Sequence, residues 1–221
     1  APERAGEPAR LTSQSARGRV PIRYASGMIP LDLEHPVWEQ VYMVAPLTLI
    51  GTREPDGTYD LAPKHLAIPM SWEEHYGFVC TPSHATYANV QREGAFTVSF
   101  PRPDQIVLTS LAAAPRCEDD QKHSLQAIPT VPATKVAGVL VENAYLHFEC
   151  ELDRVIDGFG ANSLIVGRIV AASAAKDSLR DSERDAQEMI AHSPMLAYLH
   201  PGRFAEIHQT HAFPYHVGFR R

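Results

Sequence analysis

Apolar and acidic side chains alternate along residues 144–153. Ala144, Leu146, Phe148, Cys150 and Leu152 fall on one face, and Glu149, Glu151 and Asp153 on the other. A period of two over that length points to a strand with one face on a core, because a helix repeats every 3.6 residues. After a turn predicted at Asp157-Gly158, the pattern resumes in NSLIVGRIVAASA, residues 162–174. The fold must therefore be built on a sheet.

Other segments add strands and short helices. Residues 41–52 (VYMVAPLTLIGT) predict a strand buried on both faces. Pro55-Asp56-Gly57 then turns the chain into a partner strand starting at residues 59–62, a hairpin. Residues 76–80 form a short strand. Ser83 is the expected N-cap of a helix carrying Tyr87 and Val90 and stopping at Gly94, and residues 95–100 (AFTVSF) return as a strand. Asp104 is the next expected N-cap. Residues 117–127 predict a polar helix with Asp119, Asp120 and Lys122 on a solvated face. Ser182 is expected to cap a last helix through Ile190. The tail beyond it is aromatic and histidine-rich without period. Strands in hairpins with a few short inserted helices imply a mainly β fold, an antiparallel barrel or sandwich.

A formal net charge of −6 argues against a nucleic-acid partner, which calls for a Lys/Arg excess. No apolar run approaches the ~20 residues of a membrane helix. Three cysteines far apart in sequence, Cys80, Cys117 and Cys150, fit a reducing compartment, and a cytoplasmic location is expected. Residues 1–36, rich in Ala, Pro, Arg and Ser at their start, are expected to form an arm, partly mobile or wrapped on a dimer partner, ahead of a domain over 37–221. The sequence contains no GxGxxG, P-loop or HExxH motif.

Hydrogen-bonding side chains crowd the links between apolar runs in residues 61–100, as suits a flat, anionic ligand lying against a sheet. The residues there also resemble a known family. VAPLTLIGT (44–52), Leu61-Ala62-Pro63, Met70-Ser71-Trp72, Thr86-Tyr87-x-Asn89-Val90 and GAFTVS (94–99) stand in the order found in flavin reductase-like proteins. LHFECEL (146–152) and LIVGRI (164–169) resemble two later strands of that family, so the likeness spans residues 41–172. It differs at His65, Glu74-His75, His84-Ala85 and Gly160-Ala161-Asn162. The last replaces a GDH element of some flavin:NADH reductases, which brings the chain closer to the flavoredoxin-like branch.

The resemblance implies an FMN-binding split barrel, a homodimer, and a flavin that passes electrons to a small acceptor or partner. NADH or NADPH is the candidate electron donor. Ala62, Pro63, Lys64, His65 and Leu66 would lie along the isoalloxazine ring, with Lys64 and His65 bringing positive charge and His65 the candidate proton relay. Thr81 and Pro82 would line the ribityl chain. Ser83, His84, Thr86 and Asn89 would meet the phosphate at a helix N-terminus, where backbone N–H groups and the helix dipole favour anions. Cys80 is expected in the core, and Arg203 at the ligand mouth or the dimer interface. Two other functions stand beside this one: a non-catalytic flavin-binding electron carrier or sensor, and a metal-dependent hydrolase using tail histidines such as His208 and His211 on one helix face.

Overall fold

In the computed structural model, the described residues are 27–218, and the chain divides into two compact units, Ala1–Val37 and Trp38–Arg221. Most of the predicted arm, residues 1–26, lies outside the described residues. In the described part of the first unit, Asp32 accepts the Glu34 N–H at 2.8 Å and contacts His35 Nδ1 at 2.8 Å.

A single helical turn, α1 (Val37–Gln40), precedes a β-rich body. Its first half contains β1 (Met43–Ala45), β2 (Thr48–Arg53), β3 (Tyr59–Lys64), β4 (Ala67–Pro69), β5 (His75–Cys80), α2 (Ala85–Glu93), β6 (Ala95–Phe100) and α3 (Ile106–Leu111). Its second half contains β7 (Thr130–Pro132), β8 (Val139–Val141), β9 (Leu146–Phe159), β10 (Asn162–Ala174), α4 (Ala186–His192), β11 (Met195–His200) and β12 (Arg203–Ile207).

Seven strands pair in the order β3-β2-β6-β9-β10-β5-β4, each neighbour antiparallel. Directions therefore alternate, and the first and last strands, β3 and β4, run the same way. Only His65 and Leu66 separate them in sequence. β3 and β4 are thus one line of chain bent at an elbow, paired with β2 before the bend and β5 after it. The sheet curls until this one line carries both its edges, which makes it the expected antiparallel split β-barrel. Curling also removes the open edges a flat sheet would expose.

The interior holds Ile50, Tyr76, Phe78, Phe96, Val98, Cys150 and Ile165, all nearly inaccessible, with Val90 of α2 packed among them. Phe78 meets Phe96 edge-on at 5.1 Å. Leu49 and Leu61 point the other way, into a second cluster with Ala112, Ile128, Val141 and Ala144. The expected burial of β2 on both faces follows from these two cores. Gly167 of β10 lets Phe96 pack, since a Cβ there would stand 2.5 Å from the ring.

Several local expectations are corrected. Residues 41–52 divide at Pro46-Leu47 into β1 and β2, and β1 joins β11 and β12 in a separate three-stranded sheet. The long hairpin turns at Gly160-Ala161, not at Asp157-Gly158, because bulges in the β9–β10 pairing carry the ladder further. Asp185, not Ser182, caps α4, accepting the Glu188 N–H at 2.9 Å. Arg102 stands at the N-cap ahead of Pro103, with Gln105 reaching back to its N–H, so Asp104 is not the cap. Residues 117–122 are turns and irregular chain, followed by one 3-10 segment, His123–Ala127.

Glu149 departs most from the alternating pattern. It is buried because residues 134–136 cross its face of the sheet. Its carboxylate accepts the N–H groups of Thr134, Lys135 and Val136 and the Thr134 hydroxyl. Burial works to raise its pKa, but these hydrogen bonds outweigh it and hold the group below its ordinary value.

Candidate functional site

The site is built on the elbow, where Lys64, His65 and Leu66 must bridge the two halves of the β3–β4 line. The Leu66 carbonyl accepts the Val79 N–H at 2.8 Å, fastening the elbow to the end of β5. Lys64 Nζ lies 3.6 Å from Cys80 Sγ across the same seam. Two stretches 16 residues apart in sequence, the elbow and Thr81-Pro82, are thereby brought side by side. Ala62 is buried and pairs with Ile50, while Pro63 pairs with Leu49.

The chain then enters α2. Its N-cap is His84, in an extended conformation with no side-chain cap, and not Ser83, which is exposed one residue earlier. Gly94 ends the helix as expected, at φ 66°, its N–H on the Val90 carbonyl. With no side-chain acceptor at its start, the helix presents N–H donors and the positive end of its dipole beside the seam. Thr86 and Asn89 both turn inward, each 2% exposed. The Asn89 amide donates to Thr52 Oγ1 at 3.1 Å and its carbonyl accepts from Arg92 at 2.9 Å, so this side chain fastens α2 to β2.

Two lysines act on this helix start, one of them paired with a carboxylate. The His84 pKa is lowered by burial, then by the nearby charges of Lys64 and Lys122. Lys122 comes from the turn before the 3-10 segment, where its ammonium donates to the Leu61 and Ala112 carbonyls at 3.1 and 3.2 Å. It also lies 2.8 Å from Asp60 Oδ1, an ion-pair contact without hydrogen-bond geometry, so that oxygen accepts no hydrogen bond among the described residues. Lys122 is therefore not on a solvated helix face as its sequence suggested. Burying Asp60 under it required a strand and a distant loop to meet.

On the other side of the elbow the His65 ring stacks on His200 at 5.1 Å and tilts against Tyr198 at 4.8 Å. The His65 pKa is lowered by burial, then by His200 and by Lys64. Both ring nitrogens of His200 are buried without a hydrogen-bond partner among the described residues. Tyr198 and His200 reach the elbow from β11, and Lys122 from the turn before the 3-10 segment, so no local pattern joins them to residues 62–66. Arg203 is exposed and pairs with Leu199.

Thr81 Oγ1 donates to Asn162 Oδ1 at 3.0 Å, so the Gly160-Ala161-Asn162 turn also reaches the end of β5. Pro82 and Ser83 are exposed there. A cavity of about 800 Å3 lies elsewhere, bounded by Tyr145, Asp177, Arg180, Met189 and Met195. That cavity also has cations, Arg180 and Arg184, and the start of α4 in its wall; the candidate site is placed at the elbow because the segments that carry the family resemblance, residues 62–66 and 81–89, meet there. The tail-histidine metal reading is not supported: β12 ends at Ile207, no helix carries His208 and His211, and His208 Nε2 contacts Glu206 at 3.0 Å.

Residues 41–207 match the family model of the flavin reductase like domain. No curated protein sequence matches the chain. Among solved structures, flavoredoxin from Methanosarcina acetivorans is similar over 86% of this chain and 97% of its own, at 18% identity and a TM-score of 0.69. An FMN-binding protein from Thermus thermophilus aligns over 86% and 99%, at 20% identity and a TM-score of 0.65. The 2-nitrobenzoate 2-nitroreductase of Pseudomonas fluorescens aligns over 80% and 87%, at 14% identity and a TM-score of 0.68. At these identities the likeness is one of fold.

Proposed function

The chain belongs to the flavin reductase-like family, and on that basis we propose that it binds FMN at the elbow and acts as an oxidoreductase, passing electrons to a small acceptor or a partner protein. The observation that carries this reading is the convergence of the elbow, the end of β5 and the uncapped start of α2 at the barrel seam, with Lys64 Nζ 3.6 Å from Cys80 Sγ across it. The donor set fits the cofactor: the N–H donors at the start of α2 and the Lys64 ammonium suit a phosphate, and the elbow backbone suits a flat ring.

In this reading Ser83, His84 and the first N–H groups of α2 hold the phosphate, with Lys64 supplying positive potential. Thr81 and Pro82 border the ribityl chain, and residues 62–66 lie along the ring. The bound flavin would supply the redox chemistry. His65, whose pKa is lowered first by burial and then by His200 and Lys64, is able to accept a proton at the elbow and release it to solvent. His200 and Tyr198 hold the His65 ring in place. Leu66, Ile68, Met70 and Trp72, all exposed, offer an apolar strip beside the site that a second copy would cover in a homodimer.

A second reading, a flavin-binding electron carrier, rests on Asn162 standing where a reductase of this family would place a histidine. FMN titration of the purified protein, followed by quenching of flavin fluorescence, tests the cofactor. Failure to take up FMN would sink both readings. Steady-state oxidation of NADH and NADPH by the FMN-loaded protein separates them, since turnover identifies a reductase. Its absence, together with reduction by a protein donor, identifies a carrier.

A further inference from the structure

We propose that residues 117–123 form a binding site for a divalent transition metal of the zinc class, with Cys117, Asp119 and His123 as ligands. One ligand atom from each of the three lies within 4.8 Å of the other two. Tetrahedral zinc holds such atoms about 3.5 Å apart, so small rotations of three exposed side chains close the set. A thiolate and a carboxylate balance the charge of a divalent ion, and the neutral imidazole adds a third ligand. Thiolate with imidazole selects zinc or cobalt over magnesium or calcium.

The turn that presents these groups is braced. The Cys117 N–H donates to the Gln121 carbonyl and the Asp120 N–H to the Cys117 carbonyl, both at 2.9 Å. Asp119 Oδ1 accepts the Gln121 N–H at 3.0 Å, which aims Oδ2 toward His123 Nε2, 2.7 Å away. A metal ion takes the place of that last contact. Arg116 and Lys122, which flank the turn, anchor it to Glu54 and Asp60 of the β2–β3 hairpin. Three protein ligands leave a fourth position open to water. Its three ligands, Cys117, Asp119 and His123, are not among the residues proposed to hold the flavin, so the proposal does not depend on flavin binding.

On binding, the Cys117 S–H bond breaks, a Zn–S bond forms, and the proton passes to buffer. The test is calorimetric titration of chelator-treated full-length protein with Zn2+, backed by cobalt spectra. The expected result is one ion per chain with a dissociation constant in the micromolar range or tighter. Cys117→Ser and His123→Asn should each weaken binding at least tenfold, while His208→Asn leaves it unchanged, with thermal unfolding confirming that each variant is folded. Co2+ should give a thiolate charge-transfer band that Cys117→Ser abolishes. Equal zinc binding by Cys117→Ser, loss with His208→Asn instead, or no binding at all would overturn the proposal.

Discussion

His65 and His200 stack 5.1 Å apart at the bend between β3 and β4, although 135 residues separate them in the chain. The pKa of His65 is depressed by burial, by His200 and by Lys64, and that of His84 by burial, Lys64 and Lys122. A depressed folded-state pKa means that the unfolded chain binds the proton more tightly. These groups therefore favour folding fully above their unfolded value of about 6.5, and that advantage is lost as the pH falls below it. Denaturant midpoints measured from pH 8 to 5 should fall on acidification. The His65→Gln, His84→Gln double variant should show a shallower fall, and identical slopes would refute the assignment.

Asp60 depends on Lys122. Its side chain is 4% exposed, with Lys122 at 2.8 Å and Arg116 at 3.7 Å. Lys122→Met should destabilise the fold by about 3 kcal/mol, since a buried carboxylate is left under-compensated. Adding Asp60→Asn should restore part of that loss. Urea unfolding of the single and double variants checks it, and additive effects would show that the two residues are not coupled.

Glu149→Ala should free residues 134–136, which donate three backbone N–H groups to its carboxylate. The expected cost is about 2–4 kcal/mol, with faster amide exchange confined first to that segment. Because the Glu149 pKa is held low, its contribution is present above the ordinary glutamate value and fades as the pH falls through the folded one.

Gly167→Ala should cost about 1–3 kcal/mol by pressing on Phe96, whose ring would lie 2.5 Å from the new Cβ. The companion change Phe96→Leu makes room, and the pair should be less destabilised than the sum of the two singles.

The three thiols should separate by reactivity. Burial pushes the Cys150 thiol up to about 12 and raises Cys80, while Cys117 is exposed. A thiol reagent should modify one group in the native protein and three after denaturation. Fast labelling of Cys80 would mean that the seam opens.

Period-two alternation identified β9 and β10 as strands, a turn signal at Gly57 identified the β2–β3 hairpin, and Gly94 marked the end of α2. Those features depend on backbone preference and on which face meets a core, and both are written in neighbouring residues. The sequence also brought the elbow and the α2 start under suspicion together, through their resemblance to a family. What it could not convey was closure. Nothing local says that β3 and β4 are one bent line, so the nearness of Lys64 to Cys80 and of His65 to His200 follows only from the curl of the whole sheet. For the same reason Glu149 reads as a solvent-facing acid and Lys122 as a surface charge, until chain from elsewhere covers them. Short-range side-chain pattern determined the strands. The burial of charge, and with it the candidate site, was decided by contacts between segments far apart in sequence.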